Sequence, residues 1–325
     1  MSKNQIIGLV VAAVVFVFVA VTSAITNSVM KSINFMDVLS EGSIYPVTGD
    51  YIGVVHVKGT MLETTTTTPF ETLQYDHQRI LNSIEEMKNS GNNKGLLLYV
   101  DSGGGGIYES EELHHKLMEY RNATARPVYV YMGRYAASGG YYVSAASDGR
   151  IYANMNTLTG SIGVITSYLN LYELFEEHGI KYVSITSGEH KDMLGLAKEE
   201  LEGDNAVMQA VIDEMYERFV EVVAEGRGMS VSDVKKIADG RILTAKQALE
   251  ADLIDGIMTY EELKELITEE WGGAVTIFEP EVELSLFASM FATANQLRTK
   301  SDAQAIIEAF EKRGNGVIMY YAQLS

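Results

Sequence analysis

The sequence predicts an α/β fold: a mostly parallel sheet with flanking helices, a helical C-terminal extension, and one transmembrane helix at the N-terminus. Three observations predict it. Short β-branched runs alternate with segments of helical period, as repeated strand–helix units require. The strand runs are almost continuously apolar, which suits a sheet covered on both faces. Finally, the first thirty residues contain a long stretch without charge. The chain has 325 residues, 46% of them hydrophobic and 21% charged, enough for a full core and unlike a disordered chain.

The N-terminal stretch is Ile6–Ile25, IIGLVVAAVVFVFVAVTSAI, with Thr22 and Ser23 its only polar members. Twenty residues at a rise of about 1.5 Å span a hydrocarbon core of about 30 Å. A cleaved secretory signal has an apolar core of about 7–15 residues, so residues 1–30 are expected to be a retained anchor. The short N-tail before a large body favours a single pass with the body outside the cytoplasm. Residues 31–50 carry no strong period and read as a stalk.

A folded body is expected over 51–280. Tyr51–Val57 (YIGVVHV) is a strand by its β-branched content, and five threonines at Thr64–Thr68 before Pro69 read as an extended loop. Phe70–Met87 has helical period through Leu73, Ile80, Leu81 and Ile84. Lys94–Val100 (KGLLLYV) is a buried strand, Tyr108–Arg121 a helix, and Val128–Met132 another strand. A glycine-rich turn around Ser138 enters a small-residue helix, followed by a short strand at Ile151–Ala153. Leu169–His178 reads as helix, Tyr182–Thr186 as extended, and Asp204–Glu225 as a long helix. Helices follow at Val231–Ala238, Ala245–Ala251 and Tyr260–Thr268, with a late strand near Val275–Phe278. Residues 281–325 form the extension and tail. Within it Leu284, Phe287, Met290, Phe291, Ala294 and Leu297 share a helical stripe, read as core or subunit interface rather than a membrane-surface helix because the stretch Leu284–Leu297 itself lacks basic residues.

Composition removes several function classes. Lys+Arg 25 against Asp+Glu 44 gives −19, the wrong sign for a phosphate-binding face. Zero cysteines excludes disulfides, thiol catalysis and Cys-ligated zinc. Six histidines without HExxH spacing argue against a zinc hydrolase, and no cofactor or metal is expected.

Three glycine-rich segments stand at strand ends. Val100-Asp101-Ser102-Gly103-Gly104-Gly105-Gly106 frees successive N–H groups to line an anion cavity, or forms a plain strand–helix turn. It is neither a P-loop nor GxGxxG. Ala136-Ala137-Ser138-Gly139-Gly140 presents a serine among small residues at a helix entrance, where the Gly139 N–H can meet an oxyanion; the plain alternative is an N-cap serine. Gly-x-Ser-x-Gly is absent, so an α/β-hydrolase elbow is not indicated. The third segment, Leu158-Thr159-Gly160-Ser161-Ile162-Gly163-Val164, is a tight turn into an apolar run. A nucleophilic serine needs a base. His190 is a candidate, but nothing in the sequence singles out an acid to orient it; Lys191, in Ser187-Gly188-Glu189-His190-Lys191-Asp192, is the better one.

VDSGGGGIYES, AASGGYYVS, TLTGSIGVI, SGEHKDM and GRGMSVSDVKKIADGRILTAKQALEADLID stand in one order over roughly residues 50–260. In this the chain resembles the signal peptide peptidase A family (peptidase family S49), Ser–Lys membrane peptidases of the bacterial envelope, in its short, single-copy form. The resemblance implies the Clp/crotonase-like fold group. It implies Ser138 as nucleophile, Lys191 as general base, Ser161 as the serine that helps hold the lysine, and Gly105 and Gly139 as oxyanion-hole donors. Gly103 stands where the family usually has Pro, and Asp101 where it usually has Asn; Gly103 removes a φ restraint from the loop. A homo-oligomeric ring with Ser and Lys meeting across subunits is also implied.

The expected activity is therefore that of a membrane-anchored serine endopeptidase degrading remnant signal peptides and other unstructured apolar peptides, with small or aliphatic residues at the cleaved position. A crotonase-like acyl-CoA enzyme and a non-catalytic scaffold are the alternatives. The last segment, Gly314–Ser325 (GNGVIMYYAQLS), reads either as a final strand on the body or as an extended tail lying in a substrate groove by strand addition.

Overall fold

The computed structural model describes residues 48–63, 75–280 and 319–321. The expected anchor, the stalk to residue 47, the Thr64–Thr68 run and the Leu284–Leu297 stripe lie outside these residues. Among the described residues no helix is long and apolar enough to cross a membrane.

Strand β1 (Tyr51–Lys58) is buried along nearly its whole length, as is β2 (Asn93–Ser102). Two apolar faces demand cover on both sides, so both strands lie inside the sheet. They pair in parallel with Val54 opposite Leu97, and β2 pairs in parallel with β4 (Val128–Ala137), Leu97 opposite Tyr129. Helices α1 (His77–Asn89) and α2 (Ile107–Thr124) make the crossovers between these three strands.

Beyond β4 the sheet divides. The first half of β4 pairs with β5 (Ile151–Ala153) and the second half with β6 (Leu158–Gly160), both in parallel. Strand β7 (Ile242–Thr244) adds antiparallel to β6, β8 (Gly256–Ile257) parallel to β5, and β9 (Thr276–Phe278) parallel to β1 on the far edge. The resulting order is β7-β6-β4-β2-β1-β9, with β5 and β8 branching from β4. Helix α3 (Gly139–Ser144) follows β4 directly, and after β6 come α4 (Tyr172–Glu177), α5 (Glu202–Arg227), α6 (Val231–Lys235), α7 (Ala245–Glu250) and α8 (Tyr260–Glu270). An α/β fold with a mostly parallel sheet is thus observed.

One core cluster joins Ile52, Val54, Leu97, Tyr129 and Tyr131 to Leu263 and Ile267 of α8. On the opposite side of the pleat Val55, Leu98 and Val130 are equally buried. Each fully buried aliphatic side chain contributes about 1.5–3 kcal/mol relative to exposure, so these two layers set the position of the strand ends that carry the site.

Two expectations are corrected. Tyr182–Thr186 forms no strand: it is irregular and exposed, because no strand of the described chain lies alongside to accept its pairing. The glycine run is not only a turn: Gly104–Gly106 is a short strand, β3, paired antiparallel with β10 (Met319–Tyr321) near the C-terminus.

Candidate active site

Strand β4 delivers the chain to Ser138, where it turns sharply into α3. Ser138 has φ 53° and ψ −118°, a positive-φ backbone that residues with a Cβ rarely adopt. Such strain costs of order 1–3 kcal/mol and persists only where surroundings impose it. Here the Ser138 N–H donates to the Gly160 carbonyl (2.8 Å) and the Tyr142 N–H donates to the Ser138 carbonyl (2.8 Å). The Gly-x-Ser-x-Gly pattern is missing because Ala136 takes its first position, yet the sharp strand–serine–helix turn forms all the same. Ser138 is 1% exposed, and its Oγ has no hydrogen-bond partner among the described residues. It caps nothing, since no side-chain cap bond forms at α3. A buried hydroxyl left unpaired costs about 1–3 kcal/mol, so its retention needs a reason outside stability.

Facing it is the glycine run. Asp101 Oδ1 accepts the Tyr135 N–H (3.2 Å) and Oδ2 accepts from the Arg134 guanidinium (3.2 and 3.3 Å). Ser102 Oγ donates to the Gly59 carbonyl (2.5 Å) and accepts the Gly104 N–H (3.0 Å). The Met61 N–H donates to Gly104 O (2.9 Å), and the Gly106 N–H donates to Met61 O (2.7 Å). The buried Glu109 carboxylate accepts the Glu63 N–H (2.9 Å), holding the same segment. The freedom that Gly103 brings is therefore offset on both sides. With Gly104 and Gly106 engaged by Met61, the Gly105 N–H and C=O face the other way, towards its antiparallel partner Tyr320.

The tail strand fills the cleft between these parts. Met319 pairs with Gly106 on one side and, through two backbone bonds of 2.9 and 3.0 Å, with Ile165 on the other. The Tyr320 carbonyl oxygen lies 2.1 Å from where a Cβ on Gly104 would stand and 3.1 Å from one on Gly139. Only glycines leave that space open. The fully buried Tyr320 ring stacks on Tyr142 (centroids 4.9 Å, planes 22° apart) and packs against Phe219 (4.6 Å), and its hydroxyl donates to the Met215 carbonyl (2.9 Å). The Tyr142 hydroxyl in turn donates to Glu111, which also accepts from Arg218 (2.9 Å). Burial raises both tyrosine hydroxyls well above their ordinary pKa and lowers that of His114, 5.3 Å from the Tyr142 ring, to about 4.

Ser161 follows Gly160, whose carbonyl anchors Ser138; its own N–H donates to Arg241 O (2.8 Å) at φ 48°. It borders an open cleft of about 570 Å³ walled by Ile165, Ile212, Tyr216, Asp239 and Ile242. The structure thus brings together Ser138, Gly139, Gly105 and Ser161. Lys191 stands apart: it is exposed, and among the described residues its Nζ has no partner. His190 does have an orienting acid, invisible in the sequence, for its Nδ1 lies 2.6 Å from Asp204 Oδ1. Tyr142, Phe219 and Tyr320 were not singled out from sequence; an aromatic run beside the serine was the available signal.

Known proteins resemble this chain over much of its length. The pattern of peptidase family S49 matches residues 121–272, which include Ser138, Ser161 and Lys191. A protein of Enterococcus faecium, provisionally named signal peptide peptidase SppA, is 38% identical over 264 residues, 79% of this chain and 76% of its own. A protein of Synechocystis, provisionally named a protease, is 35% identical over 241 residues, 72% of this chain and 83% of its own. Protease 4 of Haemophilus influenzae is 30% identical over 71% of this chain and 37% of its own. A Listeria monocytogenes ClpP1 structure overlays with a TM-score of 0.42 at 15% identity, covering 64% of this chain and 92% of that one. The chain belongs to peptidase family S49.

Proposed function

We propose that the protein is a membrane-anchored serine endopeptidase that cleaves unstructured apolar peptides, remnant signal peptides among them. The observation that carries this is the tail strand: an extended peptide lies beside an unpartnered, buried Ser138 Oγ with one carbonyl between Gly104 and Gly139. It favours a peptide over an acyl-CoA thioester as the natural occupant. Neutral Lys191 takes the Ser138 proton as Oγ attacks the scissile carbonyl carbon. The oxyanion rests on the N–H groups of Gly105 and Gly139, with Ser161 helping to hold the lysine. Collapse expels the amine, which receives the proton from Lys191, and water releases the acyl group.

A lysine is an effective base only when taken out of water. In the single chain Lys191 is exposed, so the reading requires a second copy to cover it. The same segment carries Leu174, Ile180, Tyr182, Val183 and Ile185, the last 96% exposed, an apolar surface of the kind that marks an interface. A homo-oligomeric ring with sites at subunit boundaries is part of this proposal, the apolar stretch Ile6–Ile25 anchoring each copy and the body outside the cytoplasm. The Tyr320 pocket changes the expected preference at the cleaved position. The residue whose carbonyl faces the glycines has a large aromatic ring, so the pocket admits aromatic as well as aliphatic side chains.

The test is peptide cleavage by the purified full-length protein. Ser138→Ala and Lys191→Ala should lose cleavage with melting temperature and assembly unchanged, while His190→Ala keeps much of it. An active Ser138→Ala protein, or a dead His190→Ala beside a live Lys191→Ala, overturns the assignment.

A further inference from the structure

Lys191 sits at the end of a segment, 176–191, in which every residue is exposed. Something must fix it. The residues on either side are tied to one buried ion pair. Lys198, its side chain 16% exposed, donates to Asp204 Oδ2 at 2.7 Å, to Asp192 Oδ1 at 3.0 Å and to the Glu189 carbonyl at 3.5 Å. All three ammonium protons are thereby used. Asp204, its side chain 5% exposed, takes His190 Nδ1 on its other oxygen at 2.6 Å. Glu189 is thus held through its carbonyl, and His190 and Asp192 through their side chains, while the Lys191 amine between them has no partner among the described residues.

The support beneath the pair is rigid. Asp204 lies in the first turn of the 26-residue helix α5, which places a carboxylate where the helix dipole favours one. Gly203 lets the imidazole close in: a Cβ there would stand 3.2 Å from His190 Cε1. A backbone bond from Leu171 N–H to Leu196 O (2.7 Å) and a side-chain bond from Asn170 Nδ2 to Lys198 O (3.1 Å) fasten the Lys198 end. The hydrogen bonds lower the Asp204 and Asp192 pKa values and raise that of Lys198, so all three stay charged around neutrality.

We propose that Lys198 and Asp204 are positioning residues that clamp the residues flanking Lys191 and so aim its amine, an inference that rests on the reading of Lys191 as the base. The clamp never touches substrate. Its loss should therefore lower kcat and leave KM nearly unchanged, since a misplacement of about 1 Å in a catalytic group costs up to about 10²-fold. Lys198→Met and Asp204→Asn should each lower kcat about 10–100-fold. Asp192→Asn removes one tie and should lower it less, and Asp204→Glu should restore most of the rate.

The measurement is steady-state cleavage of an apolar fluorogenic peptide by the full-length protein in detergent, with assembly followed by light scattering and folding by melting. A wild-type kcat in Lys198→Met, a loss confined to KM, or a rate loss that tracks dissociation of the assembly overturns the proposal. If Lys198→Met fails to fold, Asp192→Asn, on the protein surface, decides by the same criteria. The base assignment is checked separately. The chain has no cysteine, so Lys191→Cys can be alkylated with 2-bromoethylamine at a unique site, restoring an amine. Failure of that rescue refutes Lys191 as base; rescue together with an indifferent Lys198→Met refutes the clamp alone.

Discussion

If the tail strand stands in for substrate, weakening its seat should release the site, and Tyr320→Ala is the sharpest way to do so. The Tyr320 ring is fully buried between Tyr142 and Phe219, with its hydroxyl bonded to the Met215 carbonyl. Truncating a packed aromatic to alanine costs about 3–5 kcal/mol. At about 1.4 kcal/mol per decade, that weakens seating of the tail by about two to three and a half decades. The backbone pairing with Gly104–Gly106 and Ile165 is left, and the tether still presents the tail at an effective concentration in the millimolar range. A competing peptide should then bind with a lower apparent KM, falling until the tail no longer competes, while kcat stays constant because no group around Ser138 has changed. Steady-state cleavage of an apolar fluorogenic peptide reads both constants, and a melting curve reads the fold. Were β10 simply a last strand of the core, the same 3–5 kcal/mol would come out of global stability. The melting temperature would fall by roughly 6–20 °C with no gain in activity, and the competition argument would be wrong.

Two further outcomes follow. Gly104→Ala sets a Cβ 2.1 Å from the Tyr320 oxygen and 2.5 Å from the Gly139 nitrogen at a residue with φ 94°, so kcat should fall about 10²–10³-fold, as for a lost oxyanion donor; a wild-type rate would remove Gly104 from the site. His114 is buried and its pKa lies near 4, below the ordinary 6.5, so the unfolded chain binds the extra proton between those values and stability is lost as pH falls from about 6.5 to 4, by about 3 kcal/mol in total. Melting at pH 7 and pH 4.5 should therefore show a smaller loss in His114→Gln than in wild type, and equal losses would contradict the burial argument.

What the sequence made legible, and what it hid, divides along physical lines. Strands β1, β2 and β4 are legible because each buries a continuous surface, and burial is written in the run itself; helix α5 is legible from its length and the apolar turn Phe219–Ala224 that it buries. The three-residue strands β3, β6, β7 and β10 carry too little surface for a pattern; their pairing is decided by what lies alongside. Four glycines look like a turn until Met61 and Tyr320 flank them. Val183 and Ile185 look like a strand, but the described chain offers that segment no partner.

The site divides the same way. Ser138 announces itself by its small neighbours, whereas its strained φ is imposed by the bonds to Gly160 and Tyr142, and its unpaired Oγ shows only in the fold. The aromatic pocket joins Tyr142 to Phe219 and Tyr320, and the Asp204 clamp reaches back 14 residues to His190, separations at which no local pattern survives. The two halves also differ in kind. The half around Ser138 is buried and complete within one chain, down to the glycines that leave room for a carbonyl. The half around Lys191 is an ion pair tied to the flanking residues, with an exposed amine among exposed apolar side chains. On the proposed reading of Lys191 as the base, an exposed amine with no partner in its own chain has to be drawn out of water by another molecule. The proposed shared site therefore stands or falls with the proposed base.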